Sequence, residues 1–257
     1  MTNDIQFLQQ SDGSQLAYKQ ISARKGQGPS PSIVFLPGFR SDMEGSKALA
    51  LSQYASTQSV GFTRFDYSGH GASSGAFRDG TISRWRADTL AILDQVTAGP
   101  QVLVGSSMGG WLALLAALAR PARVAGLVLI APAPDFTDKL MWPELAPDAQ
   151  AAILRDGFYL KPSAYDPEPT IITRDLIEDG AKWSLLEAPI PISCPVRIIQ
   201  GMADPDVPWR HALHLSDQLA GADVRIQLIK DGDHRLSRES DIAVLTACLS
   251  DLLLAYR

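Results

Sequence analysis

Cysteine is scarce: Cys194 and Cys248 are the only two in 257 residues. Two are too few for a disulfide scaffold, and neither has the paired spacing or the neighbouring histidines of a zinc site. Both read as reduced thiols in a reducing compartment. Basic charge is short as well. Lys and Arg total 23 against 28 acids, a net charge of −5, so the basic stripe of a nucleic-acid binder is missing. No uninterrupted apolar run reaches the roughly 18 residues that a membrane span requires. The longest apolar region, 111–130, is broken by Arg120-Pro121-Ala122-Arg123. Residues 1–10 hold Asp4 and three glutamines, unlike a secretory signal or an Arg-rich transit peptide, and the expected location is cytoplasmic. Solenoids and propellers are not supported, because no period of their length recurs.

What remains has the composition of an ordinary globular protein, 46% apolar and 20% charged. A chain of this size buries enough surface for one large α/β domain. Short apolar or β-branched runs at 5–8, 15–21, 33–36, 61–65, 101–105, 124–130, 196–200 and 224–229 read as strands. The first two flank Asp12-Gly13 and form a hairpin signal, and a Gly/Pro/Ser-rich loop occupies 25–32. Helical periodicity occupies 47–57, 83–96, 109–118, 210–219 and 241–256. Continuous apolar strands alternating with helices predict a mostly parallel eight-stranded sheet, covered on both faces, with only the second strand antiparallel.

Residues 133–190 break this rhythm. They carry seven prolines, 11 acids and 5 bases, a net −6 that leaves the rest of the chain at +1. A structureless loop that long is improbable inside a compact domain. The segment therefore reads as a lid inserted into a core of 1–132 and 191–257, with helices near 147–155 and 174–186.

The strand at 101–105 runs into Gly105-Ser106-Ser107-Met108-Gly109-Gly110 and then an apolar helix. This is the G-x-S-x-G nucleophile elbow centred on Ser107, with Ser106 one residue out of register. An oxyanion hole needs a second N–H from the loop after the third strand, where Leu36-Pro37-Gly38-Phe39 stands. Phe39 and Met108 are the expected donors. Arg40 follows and is a candidate for the pocket.

A serine hydroxyl needs an imidazole to take its proton. Of His70, His211, His214 and His234, only His234 lies just beyond the last strand. His211 and His214 fall on a helix, where a surface position is expected. The acid that orients the base should follow the strand at 196–200, in Gly201-Met202-Ala203-Asp204-Pro205-Asp206. Asp204 is nearer the strand end; Asp206 suits a role in the turn. Asp135, after the sixth strand, is a third candidate.

These residues resemble the α/β-hydrolase fold enzymes. Arg64-Phe65-Asp66-Tyr67-Ser68-Gly69-His70-Gly71 matches that family's loop after the fourth strand, and Gly201-x-x-Asp204-x-x-x-Pro208 its acid turn. Residues 105–112, with Pro189-Ile190-Pro191, Cys194-Pro195-Val196-Arg197, Val207-Pro208-Trp209 and Asp233-His234-Arg235, are similar to the palmitoyl-protein thioesterase and acyl-glucuronide esterase branch. The resemblance implies a Ser107–His234–Asp204 triad, no metal or cofactor, and a small-molecule ester or thioester, or an acylated protein, as substrate. Phe136, Trp142 and Phe158 would then line an acyl pocket under the lid. Other readings of the same residues are C–C bond hydrolysis, acyl transfer, or a ligand-binding receptor that has lost turnover.

Overall fold

The computed structural model describes residues 4–23, 30–162, 168–254 and 256. Residues 25–29 of the Gly/Pro/Ser-rich loop lie outside them. Among the described residues ten strands form in chain order: β1 (Gln6–Gln9), β2 (Gln15–Ile21), β3 (Ser32–Leu36), β4 (Phe62–Phe65), β5 (Gln101–Ser106), β6 (Val124–Ile130), β7 (Phe158–Lys161), β8 (Thr170–Thr173), β9 (Val196–Gly201) and β10 (Val224–Ile229). Eight make one sheet in the order β1-β2-β4-β3-β5-β6-β9-β10. β2 runs antiparallel to both neighbours, and the pairs from β4 to β10 are parallel. This is the architecture expected from the sequence.

Every residue of β5, β6 and β9 is buried, as strands covered on both faces must be. Helices α1 (Ser46–Gln58) and α8 (Glu239–Leu254) close one face through Leu51, Ala55, Leu245 and Leu249. The other face is closed by α2 (Ile82–Ala91), α3 (Met108–Ala119) and α7 (Trp209–Gln218), through Trp85, Leu112, Leu115 and Leu215. The stretch expected as one helix over 83–96 is α-helical to Ala91 and finishes in a π-helical turn, Ile92–Val96. Among the described residues no helix is long and apolar enough to cross a membrane.

The chain leaves β3 to one side for β4 and returns to the other side for β5. Strand order reverses there, and the carboxyl ends of β3 and β5 open a crevice of the kind in which α/β sheets bind ligands. Gly38 and Ser107 stand at those two ends.

Between β6 and β9 lie a π-helical turn (Thr137–Met141), α4 (Trp142–Glu144), α5 (Pro147–Asp156), the antiparallel ribbon β7–β8 and α6 (Arg174–Ala181). The ribbon was not expected. Its strands have four residues each, and residues of β7 alternate between exposed and half-buried. The helix expected over 174–186 stops at Ala181. The Asp135 carboxylate accepts the Leu185 and Leu186 N–H groups at 2.8 and 2.9 Å, which directs that backbone out of a helix. The segment has a small core of Leu145, Ala149, Ile153 and Ile172, against which Trp142 packs. It is anchored on α2, where Asp179 accepts from the Ser83 N–H and hydroxyl, both at 2.7 Å.

Candidate active site

β5 delivers Ser107 on a backbone turn with φ 54° and ψ −117°, a conformation a non-glycine residue adopts only when its surroundings hold it. The Ser107 N–H donates to Ile130 O at 2.9 Å and its carbonyl accepts from Gly110 N–H at 2.8 Å. A Cβ on Gly105 would lie 2.3 Å from Gly109 O, and one on Gly109 would lie 2.1 Å from Leu36 O. Glycine at both positions is therefore a steric requirement of the turn. Ser107 is half-buried while Ser106 is buried within β5.

Three separate loops meet at this serine. His234 Nε2 lies 3.1 Å from Ser107 Oγ. His234 Nδ1 lies 2.8 Å from Asp204 Oδ2. A carboxylate only accepts, so Nδ1 carries the proton of the neutral ring and Nε2 faces the hydroxyl as acceptor. Asp204 is held in turn. Its Oδ1 accepts the N–H groups of Asp206 and Val207 at 2.8 and 2.9 Å, and Gln200 Nε2 donates to its Oδ2 at 3.1 Å. Asp206 is exposed and contributes its backbone to that turn. Asp135 is buried and committed to Ser184, Leu185 and Leu186, away from His234. Ligand-type atoms of Asp204, Asp206 and His234 lie within 4.8 Å of one another, but two of these residues are already joined by their own hydrogen bond.

Gly38 presses against the elbow: a Cβ there would sit 3.5 Å from Ser107 Cβ. Phe39 comes next, and among the described residues its N–H donates to no other group. Met108 opens α3, where an N–H has no acceptor within the helix. These two donors flank Ser107, and the positive end of the α3 dipole lies behind them. The Phe39 ring is fixed by Phe77, Trp85 and Phe136 at centroid distances of 5.0, 5.8 and 5.7 Å.

The other candidate pocket residues separate. Phe136 is buried between Phe39 and Trp111, beside the elbow. Trp142 is half-buried and packs against the small core of the 133–190 segment. Phe158 is exposed on β7 beneath the Arg78 guanidinium. Arg40 donates from Nη1 to Thr170 Oγ1 at 2.7 Å and to Glu168 O at 3.2 Å, which ties the β3 loop to the start of β8. His211 is half-buried and its Nε2 lies 2.8 Å from Pro134 O, so it is not a surface residue. His214 is exposed, as expected.

Three supporting residues escaped the sequence reading. Gln200 is a fully buried amide near the end of β9, after two isoleucines, an oddity that should have signalled a hydrogen-bonding duty. Lys47 of α1 donates to Arg235 O beside the base, and burial pushes its ammonium down to about 8. His70 is buried next to the Phe39 loop, and loss of solvent pushes its imidazole down from 6.5 to about 4.

That displacement has a definite sign. The unfolded chain takes up the His70 proton first, so the contribution present above pH 6.5 is lost as pH falls towards 4. The loss reaches about 3 kcal/mol. Asp88 runs the other way. Burial raises its carboxyl from 3.8 to about 6, so its contribution is full below pH 3.8 and is lost as pH rises through 6. Urea unfolding at pH 7 and pH 4 should therefore show the H70Q variant gaining about 3 kcal/mol relative to wild type on acidification.

The Alpha/beta hydrolase family profile matches residues 33–247. The chain is 41% identical over 250 residues to "Palmitoyl-protein thioesterase ABHD10, mitochondrial" of Mus musculus, covering 97% of this chain and 82% of that protein. It is 38% identical over 250 residues to the Homo sapiens protein of the same name, covering 97% and 80%. The solved structure of mouse alpha/beta hydrolase domain-containing protein 10 superposes with a TM-score of 0.89 at 39% identity, covering 99% of this chain and 100% of that one. A crystal structure from Agrobacterium vitis S4 gives 0.92 at 46% identity, covering 97% and 98%. With an eight-stranded sheet, an elbow serine and this match along most of its length, the chain belongs to the alpha/beta hydrolase family and is a hydrolytic enzyme.

Proposed function

We propose that this hydrolase cleaves carboxylic esters and thioesters by way of an acyl-enzyme on Ser107, with His234 as base and Asp204 as its orienting acid. The observation that carries the proposal is the pair of hydrogen bonds, 3.1 Å from His234 to Ser107 and 2.8 Å from His234 to Asp204. Ser107 Oγ attacks the carbonyl carbon as its proton passes to His234 Nε2. The Phe39 and Met108 N–H groups hold the resulting oxyanion. Collapse expels the alcohol or thiol, which takes the proton from His234. Water then enters by the same base and releases the acid.

The names of the mouse and human relatives support a long-chain S-acyl group as substrate. The test is kcat/KM for palmitoyl-cysteine peptides, an acyl glucuronide and p-nitrophenyl esters of rising chain length. A preference for C16 thioesters over short esters supports the S-acyl reading, and a preference for short esters contradicts it. The two unpaired thiols, Cys194 and Cys248, support a reducing, cytoplasmic setting. Localisation of the tagged chain decides between that and the mitochondrial address in the relatives' name.

Segment 133–190 acts as a lid that selects acyl length, a role supported by Phe136 beside the elbow and Phe158 and Leu160 exposed on β7. Truncating Phe136 or Phe158 to alanine removes apolar contact that only a long chain uses. Loss of about 50 Å² at ~25 cal/mol per Å² lowers the C16-to-C2 ratio of kcat/KM about tenfold. Hydrolysis of the C2 ester should barely change. An unaltered ratio in both folded variants would return the segment to a purely structural role.

A further inference from the structure

We propose that His70 is the positioning residue of the oxyanion hole, aligning the Phe39 N–H by accepting a hydrogen bond from the next backbone N–H along the chain. The proposal rests on the reading of Phe39 and Met108 as the oxyanion donors. Arg40 has φ 59°, a left-handed conformation that a long side chain does not favour by itself. Its N–H donates to His70 Nε2 at 3.3 Å. On the other side of Phe39, the Tyr67 hydroxyl donates to Pro37 O at 3.3 Å. Both partners come from the loop after β4. The peptide that carries the oxyanion donor is thus bracketed by two side chains of a single neighbouring loop.

That loop is rigid. The His70 ring is enclosed by Tyr67, Phe77 and Trp85 at centroid distances of 5.7, 5.1 and 5.3 Å. Its Nδ1 lies 3.3 Å from Ser68 O, the orientation of a neutral ring protonated at Nδ1 and accepting at Nε2. Ser68 is clamped by Asp88, which accepts its N–H at 2.8 Å and its hydroxyl at 3.1 Å, and by Trp85 Nε1, which donates to Ser68 O at 3.1 Å. The position of His70 Nε2 is therefore set from α2 upward. Without that acceptor, Arg40 relaxes out of its left-handed turn and the Phe39 N–H swings off the line to the oxyanion. The penalty falls on the transition state, because the ground-state carbonyl carries little charge for the hole to bind.

The experiment compares H70L, H70Q and H70N on a p-nitrophenyl butyrate assay, with a trifluoromethyl ketone as mimic of the tetrahedral adduct. Glutamine can set an oxygen where Nε2 stands, whereas asparagine reaches only the Nδ1 position. The leucine and asparagine variants should lose kcat by about 10²-fold with KM little changed, the scale of a misplaced oxyanion donor. Affinity for the ketone should weaken in parallel, and H70Q should stay within about tenfold of wild type. Should H70L fail to fold, the contrast between glutamine and asparagine carries the test. Wild-type kcat in folded H70N, equal losses in H70N and H70Q, or a loss confined to KM would each overturn the proposal. Fluorophosphonate labelling of the wild-type enzyme separates the two levels. Absence of label on Ser107 defeats the triad reading itself, whereas label on Ser107 with an unaffected H70N defeats only the role of His70.

Discussion

Ser107→Ala is expected to lower kcat about 10⁶-fold, the scale seen when the nucleophile of a serine triad is removed. Removal of Oγ eliminates the acyl-enzyme route, leaving only substrate binding and the donors at Phe39 and Met108 to assist attack by water. His234→Ala should cost about as much, and the double variant little more, because the two groups act as one unit. The fold should survive both changes. Ser107 is half-buried and the elbow is held by backbone bonds to Ile130 and Gly110, which alanine preserves. Thermal unfolding near the wild-type temperature, with turnover gone, is the expected pair of readings. Loss of activity in Ser106→Ala with an active Ser107→Ala would place the register of the elbow one residue earlier.

The second large effect concerns the acid. Asp204→Asn should lower kcat about 10⁴-fold, because an amide facing His234 Nδ1 favours the tautomer with its proton on Nε2, where it cannot accept from Ser107. The neighbouring Asp206→Asn should cost far less. Asp206 supplies its N–H to Asp204 Oδ1, and that donor survives the substitution. The profile of kcat against pH separates a tautomer effect from a folding defect, since the asparagine variant should regain activity where hydroxide replaces the base. Equal losses at the two positions would move the acid role away from Asp204.

Much of this site was legible because its chemistry lies at strand ends. An apolar strand running into Gly-x-Ser-x-Gly locates Ser107, and the loop after the last strand of the sheet contains a single histidine, His234. Asp204 was separable from Asp135 only by its place in strand order; in the structure Asp135 orders the backbone at Leu185 and Leu186, fifty residues downstream. That contact is non-local, and it explains why the helix expected to reach 186 stops at Ala181. The ribbon β7–β8 escaped for a different reason. Two four-residue strands bounded by Pro162 and Pro169 carry too little periodicity to stand out. Whether an aromatic residue of an inserted segment such as Trp142 packs on that segment's own core, as it does here, is not legible in the sequence, because the core of such a segment forms from non-local contacts. His70 illustrates the deepest limit. A histidine on a glycine-rich loop carries no local sign that its ring will accept an N–H from residue 40.

Active-site labelling tests the proposed role of Ser107 as the activated nucleophile. The purified chain is treated with a fluorophosphonate probe, digested, and the modified residue mapped by mass spectrometry. A single phosphonylated site, Ser107, is expected in the wild type, absent in Ser107→Ala and formed much more slowly in His234→Ala. A probe that fails to react with the folded wild-type chain, or that marks Ser106 or a serine outside the elbow, would contradict that role.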